Sequence, residues 1–118
     1  MKITAAVLRE AGAPMSIETL DLDEPRANEI IVEIAGCGVC HTDLSLRDGA
    51  WPYPLPAVIG HEGAGTVVEV GSAVSTLAIG DRVVMSFGFC GACPSCLSGS
   101  PANCPNVPQI NMVGARLD

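Results

Sequence analysis

Apolar and polar positions alternate over short stretches of this chain, and glycines and prolines punctuate the stretches. KITAAVLR (2–9), MSIETLDLDE (15–24) and EIIVEIAGCG (29–38) read as strands, and GTVVEVG (65–71) and DRVVMSF (81–87) as two more across a glycine-containing loop. One short helix is expected after Cys40, with Thr42 or Asp43 as its cap and Gly49 as its stop. WPYPLP (51–56), with prolines at 52, 54 and 56, is an extended loop. Short strands with dense turn signals predict an all-β barrel or sandwich.

A chain of 118 residues makes one domain with room for a real core. Its aromatics are only Trp51, Tyr53, Phe87 and Phe89, so that core is aliphatic. A formal charge of −7, with six Lys and Arg that never cluster, argues against a nucleic-acid partner. The N-terminal apolar run breaks at Arg9 and Glu10, short of a secretory core of about 7–15 residues. Nothing approaches the ~20 apolar residues of a membrane span. A cytoplasmic address is therefore expected, where close-set cysteines bind metal or do redox chemistry rather than form disulfides.

Cys90, Cys93, Cys96 and Cys104 are spaced C-x2-C-x2-C-x7-C inside a stretch, from Arg82 to Arg116, whose interior has no charged side chain. Glycine and proline are dense there, so the lobe at about 88–106 needs a staple. The spacing favours a structural zinc held by four thiolates. Its rivals are a 4Fe–4S cluster, whose third gap is ordinarily shorter, and two disulfides. Zinc with four thiolates bears a formal negative charge that no Lys or Arg of the lobe can offset. Backbone N–H groups exposed by Gly88, Gly91 and Gly99 are the expected donors to the sulfurs.

GCGVCHTDL (36–44) and GHEGAGTVVEVG (60–71) hold both histidines and the two other cysteines. Cys40 and His61 are a soft sulfur and an imidazole, a pair suited to zinc. Glu62 adjoins His61, and Asp43 can hold the second ring nitrogen of a metal-bound His61. Cys37 and Cys40 have thioredoxin-like spacing but no βαβ surroundings. GHEGAG is not G-x-G-x-x-G and precedes no helical pattern, so a nucleotide loop is rejected.

GVCHTD (38–43), G-H-E-x2-G-x5-G (60–71), GDRVV (80–84) and the four-cysteine spacing occur in this order. Together they make the whole chain resemble the N-terminal, GroES-like catalytic domain of zinc-dependent medium-chain alcohol dehydrogenases. CHTDL and CPSCLSGSPANC look most like the aryl (benzyl) alcohol dehydrogenase branch. The resemblance implies a mainly β, partly open GroES-like barrel over 1–118, with short helices and a structural-zinc lobe. It implies Cys40 and His61 as ligands of a catalytic zinc, Glu62 as a carboxylate able to approach the metal, and Asp43 as the partner of His61. Thr42 would take the alcohol proton, His41 would face the NAD pyrophosphate, and Trp51 and Phe87 would line the substrate pocket. Cys90, Cys93, Cys96 and Cys104 would hold the structural zinc.

The resemblance also implies a third catalytic ligand and an NAD-binding Rossmann domain, both downstream of Asp118. The chain is thus expected to be a fragment, inactive alone, of a homo-oligomeric enzyme acting on a small alcohol or aldehyde. Ser45 stands where the family often ends its proton relay in a histidine, which leaves His41 or water to finish it. The alternative is a stand-alone GroES-like zinc module without turnover.

Overall fold

The computed structural model describes residues 1–112; the end of the expected domain, 113–118, lies outside the described residues. Lys2–Leu8 (β1), Ser16–Asp21 (β2), Ile30–Gly38 (β3), Ala57–Val58 (β4), Glu62–Val70 (β5) and Arg82–Val84 (β6) form two open three-stranded sheets. Their orders are β2-β1-β4 and β3-β5-β6, and every pairing is antiparallel. The mainly β fold read from the alternation is therefore present.

In the first sheet Lys2 faces Asp21 across the β1–β2 hairpin, and Leu8 faces Ala57 on the other edge. Val7, Leu8 and Ala57 are buried there, as are Ile31 and Val67 in the second sheet. Leu8 and Val67 are fully buried, each contributing about 1.5–3 kcal/mol. Along β5 the buried positions are Gly63, Gly65 and Val67, the two-residue period of a half-covered strand. Register shifts between Ile31 and Val32, and between Ile34 and Gly36, bend β3 over β5. At Gly65 a Cβ would overlap the Glu33 carbonyl, so only glycine permits this approach.

Several boundaries differ from expectation, among them β2, which ends at Asp21 rather than at residue 24. β5 begins at Glu62, because Gly38 and Glu62 already pair opposite each other. β6 ends at Val84 rather than at residue 87, since only Met85 N–H, bonding Gly63 O at 2.9 Å, extends the pairing before the chain leaves for the lobe. The helix His41–Arg47 (α1) is capped by Cys40 rather than by Thr42 or Asp43. Gly49, with φ of 76°, follows the helix as expected, in a conformation glycine adopts without strain.

The lobe and the segment just after it contain turns of helix that apolar periodicity does not announce: Pro94–Leu97 (α2) and a 3-10 turn Pro101–Asn103 in the lobe, and Val107–Asn111 (α3) beyond it. Each has a proline in its first turn, where the missing N–H costs nothing. No helix among the described residues is long and apolar enough to cross a membrane.

Candidate metal centres and the adjoining cavity

Cys40 sits at the hinge between β3 and α1 in extended backbone, φ −110° and ψ 175°. Its Sγ accepts the Thr42 N–H at 3.2 Å, while its own N–H donates to Asp43 Oδ2 at 2.9 Å. This is a capping box with sulfur in the usual place of a hydroxyl, and it aims the thiol by backbone geometry. His61 arrives from the other sheet. β4 belongs to the first sheet and β5 to the second, so residues 59–61 form the crossing between them. Gly60, with φ of 122°, makes the bend that turns His61 toward Cys40.

His61 Nε2 lies 3.2 Å from Cys40 Sγ and 4.0 Å from Glu62 Oε1. The three donor atoms fall within 4.8 Å of one another. Glu62 reaches this position across Gly38, where any Cβ would overlap its carboxylate. A tetrahedral zinc bound by one sulfur and one imidazole would separate those two atoms by about 3.6 Å, so the donor set fits that ion. Asp43 is 4% exposed, and its Oδ1 is a buried oxygen with no hydrogen-bond partner among the described residues. That oxygen stands 3.7 Å from His61 Nδ1. A slight ring rotation would give Nδ1–H a carboxylate to donate to, the usual support of a metal-binding imidazole.

His41 is exposed at the first helical position, with Nδ1 3.3 Å from Ser45 Oγ one turn along. Thr42 and Asp43 face a cavity of about 410 Å³ bounded by α1, the proline-rich loop and the end of α3. Its walls include Leu46, Trp51, Tyr53, His61 and Phe87. Phe87 stacks on His61, ring centroids 5.4 Å apart and planes 26° from parallel. Trp51 lies at the cavity wall and remains 56% exposed. Sequence reasoning missed Tyr53, whose phenol pKa burial pushes up, and Asn111 and Met112 at the end of α3 and just beyond it. An aromatic between prolines was the one available signal for Tyr53. Asn111 gave none, because its role is made by contacts distant in the chain.

The second cluster unites Cys90, Cys93, Cys96 and Cys104, whose sulfurs also lie within 4.8 Å of one another. Cys96 Sγ is 3.4 Å from Cys93 Sγ and 3.9 Å from Cys90 Sγ. Four sulfurs around one zinc would be about 3.8 Å apart, so this set also fits. Cys104 is buried. Backbone N–H of Ala92, the Asn106 side chain and the Cys93 N–H hold the Cys90 thiol down to about 6. Burial, with Cys93 beside it, pushes Cys96 up to about 12. Four thiolates crowded this closely would accumulate negative charge that a divalent cation would relieve.

Of the three glycines expected to serve the sulfurs, Gly91 alone acts on one, its backbone opposing the rise of the Cys96 thiol. Gly99 N–H closes the turn after α2 on Cys96 O at 3.1 Å, and Gly88 N–H bonds Asn111 Oδ1 at 2.7 Å. Cys37 is an exposed thiol that joins neither cluster.

Residues 26–115 match the alcohol dehydrogenase GroES-like domain, and the chain belongs to that family. Among its relatives is the geraniol dehydrogenase of Castellaniella defragrans, 52% identical over 112 residues that cover 95% of this chain and 30% of that protein. A solved alcohol dehydrogenase zinc-binding domain protein from Burkholderia ambifaria superposes with a TM-score of 0.93 at 51% identity, covering 100% of this chain and 32% of that one. The benzyl alcohol dehydrogenase of Acinetobacter calcoaceticus also gives 0.93, at 42% identity, over 98% of this chain and 32% of that one. The chain thus spans about a third of the length of the relatives it matches.

Proposed function

We propose that this chain is the metal-binding catalytic part of a zinc-dependent, NAD-using alcohol dehydrogenase that interconverts a primary, preferably aromatic, alcohol and its aldehyde. The supporting observation is the meeting of Cys40 Sγ and His61 Nε2 at 3.2 Å, where the apolar cavity begins. Cys40 and His61 would hold the catalytic zinc, with Glu62 close enough to approach it, and the four-cysteine cluster would hold the structural one. Bound at the first site, the ion supplies Lewis-acid polarisation of the substrate oxygen. NAD would be contributed by a Rossmann domain outside this chain.

The chain's own residues perform five tasks. The capping box fixes the direction of the Cys40 sulfur, and Asp43 faces Nδ1 of His61 so that Nε2 is left for the metal. Thr42, on the cavity wall, takes the alcohol proton. His41, with Ser45 beside it, passes that proton toward solvent in place of the absent histidine at 45. Trp51 and Phe87 hold an aromatic substrate by stacking and keep water from it.

Kinetics of the full-length parent test the reading. Cys40→Ser and His61→Ala should abolish NAD-dependent oxidation of benzyl alcohol, and the 118-residue chain should show no turnover. Wild-type rates in Cys40→Ser would overturn the assignment. Metal binding without any alcohol turnover by the parent would favour the stand-alone module instead.

A further inference from the structure

The two strands of chain that enter and leave the four-cysteine lobe are tied to each other by one side chain. Gly88, just before Cys90, donates its N–H to Asn111 Oδ1 at 2.7 Å, and its carbonyl accepts from Asn111 Nδ2 at 3.0 Å. The second Nδ2 hydrogen goes to Val107 O at 2.7 Å, one turn back in α3. Both carbonyls face Nδ2 and the N–H faces Oδ1, so the amide has a single productive orientation with all its donors used. α3 in turn is anchored to the lobe, because Val107 N–H bonds the carbonyl of Cys104 at 3.2 Å. Gly88 packs so closely here that a Cβ would stand 2.8 Å from Ile110 Cγ2.

Phe87 precedes Gly88 and stacks on His61. Phe87 itself is 60% exposed, so burial alone does little to fix its ring. We propose that Asn111 is a positioning residue for the candidate active site: its amide clasps Gly88 and thereby holds Phe87 against the His61 imidazole and the cavity wall. The four-cysteine lobe then does more than stay folded, since α3, which begins just beyond its last thiol, carries the clasp. The functional consequence rests on the dehydrogenase reading, but the clasp is pure geometry. Asp at 111 could accept from Gly88 but could not donate to either carbonyl, Ser is too short, and Gln shifts the amide by a methylene.

Nuclear magnetic resonance on the zinc-loaded chain tests it without turnover. The chain has two histidines, so the His61 ring signals are assigned by comparison with His41→Gln. Phe87→Ala should displace those signals by removing the ring current, and Asn111→Ala should displace them in the same direction with zinc content unchanged. Asn111→Asp should behave like the alanine variant. Signals that move in Phe87→Ala and stay put in Asn111→Ala would overturn the proposal. Should the Asn111 variants fail to fold, hydrogen exchange of the unmutated chain decides: the Gly88 amide should be protected, and free exchange there would refute the clasp. Failure of the dehydrogenase reading leaves these signals unaltered, and failure of the clasp leaves the roles of Cys40 and His61 unaltered.

Discussion

Replacing Asp43 by alanine removes the acceptor of the Cys40 N–H, the bond that closes the capping box at 2.9 Å. A hydrogen bond to a charged group contributes about 1.5–3 kcal/mol net, and loss of a helix cap costs about 0.5–2 kcal/mol. These overlap rather than add, since they describe one bond. The half-buried Cys40 N–H is then left without its partner, so the expected loss is about 2 kcal/mol. For a chain between the small and mid-sized domain classes, roughly 4 °C per kcal/mol applies, giving a fall in Tm of about 8 °C. Asp43→Asn retains an oxygen for the Cys40 N–H, so it should cost less than about 1 kcal/mol. Both variants remove the carboxylate facing His61 Nδ1 and should weaken metal binding at Cys40 and His61 by about 10–100-fold. Urea unfolding separates the two effects, with titration calorimetry reporting the metal. Alanine and asparagine variants both within about 0.5 kcal/mol of wild type would show that the cap does not hold Cys40. An asparagine variant with unchanged metal affinity would show that the carboxylate does not support His61.

Three further outcomes are expected. Chelation at neutral pH should make residues 88–106 sensitive to limited proteolysis, because structural zinc contributes about 10–16 kcal/mol in small peptides against a domain stability of about 5–15 kcal/mol; undiminished resistance after zinc removal would contradict this. The Arg9 guanidinium, aided by the Ser16 hydroxyl, holds the Glu18 carboxyl down to about 2 from 4.5, so its contribution to stability is whole above pH 4.5 and fades as pH falls toward 2. Acid unfolding of Glu18→Gln should accordingly lose that pH-dependent component, and superimposable wild-type and variant profiles would exclude it. Gly65→Ala should destabilise by roughly 2 kcal/mol or more, read by thermal unfolding, because its Cβ would overlap the Glu33 carbonyl across a bent strand pair; an unchanged Tm would mean that β3 can yield there.

Much of this arrangement was legible in the order of residues, for reasons that differ from place to place. The four lobe cysteines were legible because a tetrahedral thiolate site imposes short sequence spacings, and their sulfurs do converge. The strands were legible because alternation has only one meaning on a half-covered sheet, although the ends of β5 and β6 were set by cross-strand pairing that no local window contains. The start of α1 was misread because sulfur is not among the side chains that ordinarily cap helices. Yet that exception explains how Cys40 is aimed. A serine could accept the same Thr42 N–H, but only a thiol also offers a soft donor 3.2 Å from an imidazole. The box therefore sets the sulfur's direction at the cost of no additional residue, and Asp43 closes it with one oxygen while turning the other toward His61. Asn111 was illegible for the opposite reason: an asparagine at a helix end has many uses, and its clasp exists only once the lobe has brought α3 back to Gly88. Local spacing thus reveals which side chains can bind a metal, whereas the groups that aim those side chains are fixed by the return path of the chain.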